Sequence, residues 1–93
     1  MCKLVCLINL FIEQQDIYLI DLDTGKVSIA ASCTLDSLSE KIVDIADITQ
    51  VNNIELRSAP SYAASIADDI YAYAKTRYNN NDLIVEVVQW QSI

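Results

Sequence analysis

Residues 4–12 read LVCLINLFI, an almost unbroken apolar run rich in branched side chains. A strand covered on both faces carries this pattern, whereas a half-exposed strand alternates. The run therefore predicts a central strand over Lys3–Ile12. It is too short to span a bilayer, which takes about 20 apolar residues, and no cleavage site of small residues follows it. Glu13-Gln14-Gln15-Asp16 interrupts it, and Ile17–Leu22 resumes as a second strand. Asp23-Thr24-Gly25-Lys26 is a hairpin turn in which Gly25 supplies a positive φ. Lys26–Cys33 alternates Val27, Ile29, Ala31 and Cys33 against small and polar residues, which predicts a third strand.

The period then changes. Leu38, Ile42 and Ile45 mark a helix over Leu35–Ile48, with Thr34 as its cap or Ser37 and Glu40 as a capping box. Asn53–Arg57 is a short fourth strand. Pro60 suits the first turn of a second helix, whose stripe is Tyr62, Ile66, Ile70 and Tyr73 and which stops at Asn79-Asn80-Asn81. Leu83–Trp90 is the fifth strand. The 93 residues form one α/β domain over 1–93, in the order β-β-β-α-β-α-β. Right-handed crossovers give a mixed five-stranded sheet of order 3-2-1-4-5 with both helices on one face.

This order of elements resembles the ribonuclease H-like fold over nearly the whole chain. Tyr62-Ala63, Ile66, Ile70, Tyr78 and Val85-Glu86-Val87 resemble small uncharacterised phage proteins, a likeness that implies a phage-encoded protein acting on a host or defence factor. The first resemblance implies a metal-dependent nuclease, whose carboxylates stand in the middle of the first strand and on or near the fourth. The first strand offers Asn9 in that place and Glu13 at its end, and the fourth offers Glu55 beside Arg57, which reads as a surface ion pair. The nuclease is the alternative reading, and whether the chain is an enzyme is left open with the balance toward none. Nucleotide binding of the actin-like kind needs glycine-rich phosphate turns, and the chain holds one glycine.

Thirteen acidic residues against six basic ones give a net charge of -7, which disfavours nucleic acid as a partner. The chain has three cysteines and no histidine. That is neither a disulfide framework nor a zinc ligand set, and it suits a reducing cytoplasm. No cofactor, metal or membrane partner is expected. Arg57, Ser58 and Ser61 gather as a candidate anion site near Glu13, where helix capping is the plainer role of the serines.

The strongest functional signal is an uncovered face. With both helices on one side, alternation sends Val5, Leu7, Phe11, Ile84, Val88 and Trp90 to the other, joined by either Tyr18 and Ile20 or Ile17 and Leu19. An apolar patch of this kind marks an interface. The sequence thus points to a non-catalytic interaction module, a homodimer or the binder of a protein partner. The uncharged third strand is a second pairing edge.

Overall fold

The computed structural model of the protein describes residues 1–58 and 60–89. β1 (Cys2–Leu7), β2 (Gln14–Asp21), β3 (Val27–Thr34), α1 (Leu38–Thr49), β4 (Asn53–Ser58), α2 (Pro60–Tyr78) and β5 (Ile84–Gln89) follow one another, with one turn of 3-10 helix at Leu35–Ser37. The five strands form one sheet of order β3-β2-β1-β4-β5. β1–β2 and β2–β3 are antiparallel, and β1–β4 and β4–β5 are parallel. Fold class and strand order are those expected from the sequence.

The core lies between the helices and one sheet face. Leu4, Cys6 and Ile8 meet Ile54 and Leu56 there, under Leu38, Ile42 and Ile45 of α1 and Ala63, Ile66, Ile70 and Ala74 of α2. Alanines beside the α2 stripe let that helix approach closely. Each helix ends on a left-handed residue, Gln50 after α1 (φ 56°) and Asn79 after α2 (φ 52°). Backbone N–H groups there return to the orphan carbonyls of the last turn, Gln50 to Ala46 and Asn79 to Lys75. Neither Thr34 nor Ser37 caps α1 through its side chain. The 3-10 turn takes the place of the expected cap. Gly25 has φ +76° and closes the β2–β3 turn by donating its N–H to the Asp21 carbonyl.

Two further features depart from the sequence reading. β1 stops at Leu7 rather than running to Ile12. Residues 9–13 turn back as a loop instead, leaving Leu10, Phe11 and Ile12 exposed by 53, 98 and 52%. The second departure is a bulge in β3. Ile17 pairs with Ala31 but the next residue, Tyr18, pairs with Ile29, so Ala30 is the extra residue. The bulge splits the apolar set of β3. Ala31 and Cys33 pack on the core, while Val27 and Ile29 share the far face with Ile20 and Tyr18.

Candidate functional site: the uncovered sheet face

Register fixes what the second face presents. Lys3, Val5 and Leu7 alternate with core residues along β1, and of the three Val5 is paired on both sides. Val5 lies between Tyr18 and Glu55, and Lys3 opposite Ile20. Leu7 pairs with Arg57, which pairs with Val88, and Asn53 pairs with Ile84. Of the two options for β2, Tyr18 and Ile20 face this side, and Ile17 lies in the core with no exposure. No element among the described residues packs over this face.

The face divides into two territories. β1, β2 and β3 supply Val5, Leu7, Tyr18, Ile20 and Val27, which with Lys3, Glu55 and Arg57 line a shallow groove of about 310 Å³. That volume is at the lower end of the range for small-ligand sites. β4 supplies a polar strip instead: Asn53, Glu55 and Arg57. Val5 is only 6% exposed although no second layer covers it, because its cross-strand neighbours enclose it.

Glu55 organises the groove. Lys3 Nζ donates to its Oε1 at 2.9 Å, and Arg57 Nε donates to its Oε2 at 2.6 Å. The sequence suggested a surface pair of Glu55 and Arg57. The carboxylate is in fact buried, at 6% residue exposure, and held by two cations rather than one. Burial is the largest single influence on the Glu55 carboxyl and pushes its pKa up. The hydrogen bonds and charges of Lys3 and Arg57 together outweigh it, so the pKa lies below the ordinary glutamate value. The trio is net positive by one charge on a chain of net charge -7. Lys3 was the member missed in the sequence, because it lies 52 residues from Glu55.

The remaining site residues fall as follows. Ile84 is 56% exposed on the β5 side of the face, and Val88 is half-buried beside Arg57. Phe11 is not on a strand but at the tip of the β1–β2 loop. Trp90 lies outside the described residues. The anion site is not assembled. Arg57 points to the uncovered face and engages Glu55, whereas Ser58, the next residue of β4, is buried at 3% on the opposite side. Ser61 is exposed on α2, and Glu13 is exposed in the loop.

The tip is a built structure rather than a loose loop. Gln15, with no exposed surface, donates its Nε2 to the carbonyls of Asn9 (2.7 Å) and Ile12 (2.9 Å) and accepts the Asn9 N–H at Oε1 (2.9 Å). Asn9 Oδ1 accepts the Phe11 N–H at 2.9 Å, which closes an Asx turn. The residue that stands in place of a strand acid thus shapes the turn.

No cluster of three or more potential metal ligands occurs among the described residues. Their helices include none long and apolar enough to cross a membrane. The three cysteines are free. Burial pushes the Cys6 thiol up to about 12, and burial likewise raises that of Cys33.

No family model matches the chain, and no curated protein matches it. Among solved structures it is similar to S. cerevisiae Dom34, a translation termination-like factor involved in RNA quality control pathways and interacting with Hbs1. The TM-score is 0.59 at 13% identity, over 94% of this chain and 28% of that one. The fowlpox virus Holliday junction resolvase matches at TM-score 0.46 and 21% identity, over 96% of this chain and 61% of that one. The likeness is one of fold. The chain spans less than two thirds of the length of either protein.

Proposed function

We propose that this domain is a non-catalytic interaction module that works through its uncovered sheet face. One observation carries the reading. Val5, Leu7, Tyr18, Ile20 and Val27 form an apolar groove around a fixed ion trio, with nothing packed on it among the described residues. Water-facing sides of antiparallel strands are ordinarily polar, and such a patch is characteristic of a contact surface. Ile84 and Val88 extend the footprint toward β5. A second copy or another protein is the partner class, in a cytoplasmic setting. On the sequence resemblance of Tyr62-Ala63, Ile66, Ile70, Tyr78 and Val85-Glu86-Val87 alone, the proposal extends to a phage-encoded binder of a host or defence factor.

The alternative is a metal-dependent nuclease of ribonuclease H-like type, and the fold speaks for it. The carboxylates speak against it. Glu55 is neutralised by Lys3 and Arg57, Glu13 lies in the β1–β2 loop, and Asn9 is engaged in the turn. One pair of assays separates the readings. Magnesium- or manganese-dependent cleavage of DNA, RNA or hybrid, abolished by Glu13→Gln or Glu55→Gln, would establish the nuclease. Absence of cleavage, with solution mass or partner binding altered by Val27→Glu, would support the module.

A further inference from the structure

The chain carries a knob and a hole of matching chemistry. The knob is the Leu10-Phe11-Ile12 tip, whose Phe11 is 98% exposed and whose backbone is held at Asn9 and Ile12 by the buried Gln15 amide. Three large apolar side chains in water are a cost, and the buried Gln15 hydrogen bonds fix the backbone that displays them. The tip is flanked by acids: Glu13 follows it directly, and Asp16 stands at the start of β2, where it accepts from Ser32. The hole is the groove of about 310 Å³, apolar on β1, β2 and β3 and rimmed by Lys3 and Arg57. Arg57 keeps 48% of its side chain exposed while pairing with Glu55.

Phe11 does not fill the groove of its own chain. Leu7, on the groove floor, is four residues before it and the loop turns it outward. We propose that the groove receives the Phe11 tip of a second copy of this chain, reciprocally about a two-fold axis. The proposal rests on the reading of the sheet face as a contact surface and names its occupant. Three observations support a second copy over another partner. The knob is aromatic and the hole apolar. The acidic flank of the knob meets the cationic rim of the hole, which offsets locally the repulsion between two chains of charge -7. Knob and hole also adjoin on each copy, so one two-fold operation satisfies both and closes the assembly.

The test is solution mass by size-exclusion chromatography with light scattering over a wide concentration range. Four samples are compared: wild type, Phe11→Ser, Val27→Glu, and an equimolar mixture of the two variants. Both substituted positions are exposed, Phe11 by 98% and Val27 by 55%, so both variants keep the fold, and circular dichroism verifies that. Wild type is expected to dimerise. Removing an aromatic anchor weakens a contact by about 30-fold or more, so each variant alone is expected to be monomeric across much of the range. The mixture retains one intact knob and one intact hole and is expected to recover heterodimer. Dimer lost in Val27→Glu but kept in Phe11→Ser overturns the knob and leaves the face. A monomeric wild type overturns self-association and leaves the face to a different protein. A dimer indifferent to both variants overturns the knob and the face together.

Discussion

Gln15→Leu tests whether the tip is held by a single side chain. Gln15 has no exposed surface and makes three hydrogen bonds to the loop backbone, two donated and one accepted. Leucine fills a similar volume, so the loss is chiefly of hydrogen bonding. At about 1 kcal/mol net per bond the cost is about 3 kcal/mol, and more where the stranded Asn9 N–H stays dry. In a domain of this size about 3 kcal/mol lowers Tm by about 12–24 °C. Gln15→Glu sharpens the test. Its carboxylate still accepts from Asn9 but faces the Asn9 and Ile12 carbonyls with negative charge. Its pKa in the fold is therefore raised, and the variant should gain stability as pH falls through that pKa, where the protonated acid again donates. Urea titration at two pH values reads both effects. A loss below about 1 kcal/mol for Gln15→Leu would mean that water already holds these loop groups, and the account of a pre-formed tip would be wrong.

The ion trio gives a pH dependence of definite sign. Because the Glu55 pKa is depressed in the fold, its contribution is present above the ordinary glutamate range and is lost as pH falls through the folded value. Glu55→Gln should abolish that part of the acid dependence of unfolding. The thiols should separate by burial: iodoacetamide at mildly alkaline pH should label Cys2 in the native protein, and Cys6 and Cys33 only after denaturation, as read by mass spectrometry. Early labelling of Cys6 would contradict its burial and its raised pKa. Gly25→Ala should cost about 1 kcal/mol in thermal unfolding, from the left-handed backbone alone, since an added Cβ meets nothing within 4 Å.

Strand and helix identities were legible because their periods differ. Leu38, Ile42 and Ile45 could only share a face on a helix, and strand alternation with two right-handed crossovers fixed the order 3-2-1-4-5. The end of β1 was not legible by the same means. Leu10-Phe11-Ile12 continues the apolar composition of the strand, and composition does not report where backbone pairing stops. The available signal was Asn9, a residue that closes turns through its own side chain. The decisive partner, Gln15, acts across the loop by hydrogen bonds that no periodicity records. The β3 bulge was hidden for a related reason. Val27, Ile29, Ala31 and Cys33 alternate without a break in sequence, and only the pairing with β2 shows Ala30 as an inserted residue that sends Val27 and Ile29 to the uncovered face.

That insertion bears directly on the proposed contact face. Had β3 kept one register, Val27 and Ile29 would have faced the helices, and the uncovered face would have ended at Tyr18 and Ile20. The bulge carries the apolar territory to the edge of the sheet, with Val27 and Ile29 exposed by 55 and 60%. Meanwhile β4 follows the ordinary rule for a wet surface, placing Asn53, Glu55 and Arg57 outward. The departure from polar-outward patterning is thus concentrated on β1, β2 and β3, while on β5 Ile84 and Val88 flank an outward, exposed Glu86. A face left apolar by indifference would show no such boundary. Here the boundary is drawn by a buried carboxylate whose two cations rim the groove. A partner that is apolar at its centre and acidic at its margin meets both requirements, and the Leu10-Phe11-Ile12 tip followed by Glu13 has that composition.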